Sequence, residues 1–425
     1  MMSYRKTLFH YIVLAVLAVF LFPLISGPAD ADQDVLFPDL QTPPIALKAS
    51  DELSNDLISG PNYKVELSVI NDGLINTYRL STDYGPLQVE STALLKERIN
   101  ELLALRHMEE LKGSKVFKDA LKEGAKASYR TAKGLVTKPV DTVSGIATGV
   151  GRWFSDVKRS VSSDDPHQEN ALKTALGYSS VKRKFAYEYK IDPYTNYEPV
   201  QKRLSELSQS AFAGGISTKV AFGAIKKPIG TALRLSGTAD TMRKLVRDKS
   251  PAELEDINTD KLLAMGVSRN NIKYFLNNPN YSPQEATLLV GALESMRNVS
   301  DRNKFVAAAS FADEESVARF MRLRVQMMAS YNARISPVSK IIDINGTPFL
   351  KTRKGVVVGL FPLDYVAWTG ALYQKEKTVS DFIENVLQIK SKELWVTGRI
   401  DSIARRALES RGWKLKTNVG STLLK

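Results

Sequence analysis

Residues 64–89 read Lys64-Val65-Glu66-Leu67-Ser68-Val69-Ile70-Asn71-Asp72-Gly73-Leu74-Ile75-Asn76-Thr77-Tyr78-Arg79-Leu80-Ser81-Thr82-Asp83-Tyr84-Gly85-Pro86-Leu87-Gln88-Val89. Apolar and polar side chains alternate over residues 64–70, the period of a half-buried strand. Asn71-Asp72-Gly73 signals a hairpin, because Asp-Gly readily takes positive φ. Residues 74–82 supply the returning strand, and Asp83-Tyr84-Gly85-Pro86 turns into a third at residues 87–89. Ser91 or Thr92 then caps a helix with Leu95, Ile99, Leu102 and Leu103 on one face. A three-stranded meander followed by a long helix puts this part of the chain in the α+β class.

The other end of the chain repeats that grammar. Residues 340–350 form a hairpin around Asn345-Gly346, and residues 355–361 read as a buried strand. Helices are expected near residues 365–374 and 379–388. A small strand–helix–strand unit is expected at residues 394–397, 401–411 and 413–416. Between the two ends the chain is helical. Ser250-Pro251-Ala252-Glu253 recurs as Ser282-Pro283-Gln284-Glu285, an offset of 32 residues. Each copy is a helix start, with Ser as N-cap, Pro at the first helical position and Glu at the third. The offset fits a two-copy helix-hairpin repeat, an architecture that docks protein partners, closed by a helix at residues 313–328.

Residues 1–31 address the chain. Arg5 and Lys6 precede an apolar run over residues 8–25, and Ala29-Asp30-Ala31 has the form of a cleavage site. The expectation is a signal peptide cut after Ala31, giving a secreted or periplasmic protein of the cell envelope. An N-terminal membrane anchor is the alternative. Cysteine is absent, which excludes disulfides, thiolate catalysis and thiolate metal sites. Only His107 and His167 lie beyond the signal, so imidazole metal sites and serine–histidine triads are disfavoured. Neither a metal nor a cofactor is expected.

The domain reading is a signal at 1–31, a Pro- and Asp-rich tether at 32–62, the meander and helix at 63–112, a basic and mostly helical region at 113–249, the helical repeat at 250–335 and an α/β unit at 336–425. The net charge of +13 is concentrated in one stretch. Residues 112–249 hold 26 Lys and Arg against 13 Asp and Glu, while the rest of the chain balances at 33 of each. Within that stretch, Val136, Val140, Val143, Ala147, Val150, Phe154 and Val157 form a helical stripe beside glycines, flanked by cations. An amphipathic helix on a membrane surface and a helix packed on its own protein both fit. Lys138, Arg152, Trp153, Lys158, Arg159, Lys182, Arg183 and Lys184 are the candidate contacts to an anionic membrane surface or cell-wall polymer. Nucleic acid is not an expected partner of an exported chain.

Catalytic candidates come from carboxylates. Asp364 sits in the apolar run Phe361-Pro362-Leu363-Asp364-Tyr365-Val366-Ala367-Trp368, where burial raises a carboxylate pKa toward general-acid duty. Its plainer role is N-cap of the helix expected to follow it. Asp192 and Glu198 lie among five aromatics over residues 185–199, either a sugar- or peptide-binding surface or tyrosines covering the core edge. Ser179-Ser180-Val181-Lys182 matches S-x-x-K without companion motifs. Gly398-Arg399 is either an anion-binding turn or a plain tight turn. Together these features point to a non-catalytic envelope binding or scaffold protein. A carboxylate-dependent cell-wall glycan hydrolase and a structural part of an envelope assembly are the alternatives.

Overall fold

A computed structural model of the chain describes residues 40–115, 117–119, 122, 177–213, 237–389 and 391–424. The export segment 1–31, the stripe over residues 136–157 and the contacts Lys138, Arg152, Trp153, Lys158 and Arg159 lie outside the described residues. The architecture is α+β, with one sheet near each end and helices between them in sequence.

The N-terminal sheet contains β1 (Ile45–Lys48), β2 (Ser59–Gly60), β3 (Tyr63–Val65), β4 (Ser68–Asn71), β5 (Asn76–Thr82) and β6 (Gly85–Glu90). β5 is antiparallel to β3 and β4 on one side and to β6 on the other, which is the expected meander. The single strand expected at residues 64–70 is interrupted. Glu66 N–H donates to the Arg79 carbonyl at 2.8 Å while Leu67 is exposed, so the chain bulges before pairing resumes.

The irregular lead read over residues 32–62 is corrected from Ile45 onward. β1 pairs with β4 and β2 pairs with β3, and the short helices α1 (Ala49–Glu52) and α2 (Asn55–Ile58) lie between them. Strands this short carry too few alternations to register as a pattern. α3 (Thr92–Gly113) buries Leu95, Ile99, Leu102 and Leu105 in one core with Tyr78 and Leu80 of β5, and Leu103 lies at its edge. α4 (Tyr178–Glu188) and α5 (Glu198–Ala213) contribute Phe185, Val200 and Leu204 to the same core.

The helical middle contains α6 (Gly237–Asp248), α7 (Pro251–Ala264), α8 (Arg269–Leu276), α9 (Pro283–Ser295) and α10 (Asn303–Ala309). The 32-residue offset corresponds to two helix pairs, with α7 against α9 and α8 against α10. Ser250 and Ser282 cap α7 and α9 by accepting the N–H groups of Glu253 and Glu285. The second pair departs from the first at α10, which has no side-chain cap. α11 (Glu315–Arg334) packs on α9.

The C-terminal sheet has β7 (Val338–Ile344), β8 (Thr347–Thr352), β9 (Val357–Phe361), β11 (Lys392–Val396) and β13 (Trp413–Lys416), in the order β13-β11-β9-β8-β7. Asn345 and Gly346 turn the first hairpin at φ 50° and 76°. β9, β11 and β13 are parallel, so the expected strand–helix–strand unit extends the hairpin's own sheet. Its helix is α13 (Ser402–Ser410), and the chain ends with α14 (Gly420–Leu423).

The helix expected near residues 365–374 is corrected. Tyr365–Val366 is a short strand, β10, paired with β12 (Arg399–Ile400), and α12 (Gly370–Asp381) begins only after it. The reason lies across the molecule. Asp364 N–H donates to the Leu74 carbonyl at 3.0 Å and Ala367 N–H to the Gly73 carbonyl at 2.9 Å. These bonds to the turn between β4 and β5, together with the pairing of β10 with β12, hold the segment extended. The two sheets stay separate but are tied at this edge. Among the described residues no helix is long and apolar enough to cross a membrane.

Candidate functional site

Where the two ends and the helical middle meet, a cleft of about 750 Å³ opens. One wall holds Asp364, Gly398 and Arg399, a second holds Glu52, Lys96 and Glu97, and a third holds Asp192, Arg243, Glu285 and Arg322. Two of the three carboxylates picked from the sequence, Asp192 and Asp364, therefore line the same cleft.

Asp364 leaves β9 into the cleft floor and is buried. Its carboxylate accepts the N–H of Asn76 at 3.1 Å and the N–H of Thr92 at 3.1 Å. Thr92 is the first residue of α3, whose unpaired N–H groups and dipole favour a negative charge. Asp364 thus supports the start of α3, a helix 272 residues earlier in the chain. It does not cap the helix that follows it, because Thr369 does that by accepting the Leu372 N–H. This corrects the N-cap role expected from the sequence. Burial pushes the Asp364 carboxyl up to about 6, against the hydrogen bonds from Asn76 and Thr92 that pull it down. A polar chain continues outward, from Asn76 Nδ2 to Glu52 at 3.1 Å and from Glu52 to Arg399 Nε at 2.9 Å.

Asp192 follows α4 and accepts the Ser282 hydroxyl at 2.5 Å and the Tyr194 N–H at 2.8 Å. Ser282 is the second repeat cap, so its oxygen serves α9 and Asp192 together. Burial pushes the Asp192 carboxyl up to about 7, and Glu285 adds to the rise while the hydrogen bonds and Arg243 oppose it. Arg243 is itself buried and donates to the Ile191 carbonyl at 3.2 Å. Burial lowers its pKa, with Asp192 and Glu97 opposing.

Above Asp192 lies an ionic network that sequence reasoning missed. Arg322 donates to Glu97 at 2.6 Å and to Glu285 at 2.7 Å, and Arg319 pairs with Glu97 at 2.7 Å. Although burial alone would raise it, Glu97 is held well below the usual carboxylate range by Arg319 and Arg322. The missed signal was legible in α11, where Arg319, Arg322 and Arg324 interrupt the apolar run of Val317, Met321, Leu323 and Val325. Arginine on a buried helix face requires a partner.

The remaining candidates separate. Glu198 opens α5, is exposed and does not line the cleft, so it forms no pair with Asp192. Phe185, Tyr189 and Tyr194 are buried, which makes that aromatic segment core rather than a sugar platform. Arg183 is also buried and donates to the Arg247 carbonyl at 3.3 Å, so it is not a surface contact. Lys182 donates to Gln201 at 2.7 Å, and Lys184 is exposed. Gly398 N–H is taken by the Leu363 carbonyl at 2.8 Å and Arg399 N–H by the Asp364 carbonyl at 3.0 Å, so neither backbone N–H is left for an anion. Among the described residues no group of three or more His, Asp and Glu side chains is placed to hold a metal ion. No family model, curated protein or solved structure matches the chain.

Proposed function

We propose that the chain is an exported, non-catalytic envelope binding protein that takes an anionic cell-wall polymer through residues 112–249 and admits part of it to the cleft. The observation that carries this reading is that Lys190 and Arg243, both from the basic stretch, form one side of the cleft. Four of the acids that line the cleft are already engaged. Glu97 and Glu285 face arginines, Glu52 faces Arg399, and Asp364 holds backbone N–H groups. Lys190 is exposed, so its charge is available to a ligand. A cleft suits a chain-like polymer better than a flat membrane, which is met by an exposed amphipathic face.

The hydrolase reading keeps one specific support: Asp192 and Asp364 line one cleft and burial raises both toward neutrality, which suits a general acid. Sedimentation of the purified chain with insoluble cell-wall polymer, at low and high salt, tests the first reading. Expected is binding that salt abolishes and that Lys190→Glu weakens roughly fivefold, the scale of about 1 kcal/mol for one surface charge. Salt-insensitive binding, or binding to anionic vesicles but not to the polymer, would overturn it. Release of soluble fragments by the wild type but not by Asp364→Asn would establish the hydrolase instead.

A further inference from the structure

A second cavity, of about 140 Å³, lies where the β4–β5 turn, α11 and the C-terminal sheet meet. Its walls are apolar, among them Ile75, Val317, Leu323, Phe349, Leu363 and Val366. It shares only Arg319 and Leu323 with the polar cleft.

Among the ionisable residues on the lining, Arg324 stands out. Arg324 is 0 % exposed, yet no carboxylate meets it. Its Nε donates to the Leu360 carbonyl at 3.1 Å and its Nη2 to the Pro348 carbonyl at 2.6 Å. The Phe361 ring centroid lies 4.3 Å from its Cζ, and Nη1 has no hydrogen-bond partner. Burial lowers the guanidinium to about 9 without making it neutral at physiological pH. The other ionisable groups on the lining do not supply its counter-charge, and Lys375 is itself a cation. Glu376 pairs with Arg411, Arg319 pairs with Glu97, and Glu90 is raised to about 7 by burial and by Glu314 and Asp72. Carbonyls and a ring hold the guanidinium in place, but a buried cation with free N–H groups still favours an anion.

We propose that this cavity binds an aliphatic monocarboxylate, with the carboxylate on Arg324 and the tail against the apolar walls. The planar guanidinium fork matches a carboxylate in shape and in charge. A cavity of ~150 Å³ holds benzene, which sets the tail at on the order of six carbons or somewhat more if it is flexible. This site does not rest on the reading of the polar cleft.

Calorimetric titration and thermal unfolding of the purified chain with octanoate, 1-octanol, octylamine and octyl phosphate test the proposal. Octanoate is expected to bind saturably at one site and raise Tm, with the other three at least tenfold weaker. Arg324→Gln is expected to weaken octanoate at least tenfold. Because that variant removes two structural hydrogen bonds and could fail to fold, Leu372→Trp at the half-exposed cavity wall provides a second arm, filling the cavity and abolishing binding. Octanol binding as tightly as octanoate, octyl phosphate binding more tightly, no saturable octanoate binding, or octanoate binding that survives Leu372→Trp would each overturn the assignment.

Discussion

Asp192 shows how one residue can be identified from sequence and its role still be set elsewhere. The sequence marks it as an acid among aromatics, a plain surface feature in most chains. Its environment comes from Ser282 and Arg243, which are distant in sequence and were not legible as its neighbours. The pH dependence follows from its shift. The folded carboxyl titrates near 7 and the unfolded one near the ordinary aspartate value, so between them the native state holds more protons. Its contribution to stability is therefore present at low pH and declines as pH rises from about 4 to about 7. Asp192→Asn is expected to match the wild type at pH 4 and to exceed it by on the order of 1–2 kcal/mol at pH 8. Urea unfolding at the two pH values measures this, and an equal difference at both would refute the burial effect.

At the scale of elements, helix starts were read well because capping is local chemistry. Ser250 and Ser282 sit where the sequence places them, and each accepts the expected N–H. What the local pattern could not show is that Ser282 also donates its hydroxyl to Asp192, 90 residues earlier, whereas Ser250 donates to its own Glu253. Ser250→Ala is expected to cost about 1 kcal/mol, the ordinary value of a cap. Ser282→Ala should cost about 2 kcal/mol or more at pH 8, because Asp192 loses a donor while charged. Equal losses in chemical denaturation would show that the Ser282–Asp192 bond contributes nothing. The same limit explains the displaced helix near residue 365. Its composition suits a helix, but bonds to the β4–β5 turn, about 290 residues earlier, and pairing with β12 hold it extended.

At the scale of the whole molecule, Arg322 joins α11 to both other parts of the cleft. It bridges Glu97 of the N-terminal helix and Glu285 of the second repeat. Arg322→Ala leaves Glu285 without its cation and Glu97 with Arg319 alone, and should destabilise by about 3–5 kcal/mol. Adding Glu285→Gln should recover part of that loss, since the two sites share one network. A loss under about 1 kcal/mol for Arg322→Ala would mean that the network is effectively solvated. These long-range pairs link three parts of the chain that wall the cleft.

By itself the sequence determined the α+β class, the meander, the Asn345-Gly346 hairpin, the repeat caps and the amphipathic face of α3. Each depends on residues within a few positions of one another, where alternation, positive φ and capping act directly. The tertiary structure alone decided that Asp364 supports a helix start 272 residues away and that Asp192 and Asp364 share a cleft. It also decided that Glu198 stands apart and that Arg324 is buried without an acid. These outcomes depend on which distant side chains remove water from a charge, and desolvation is a property of packing rather than of local order.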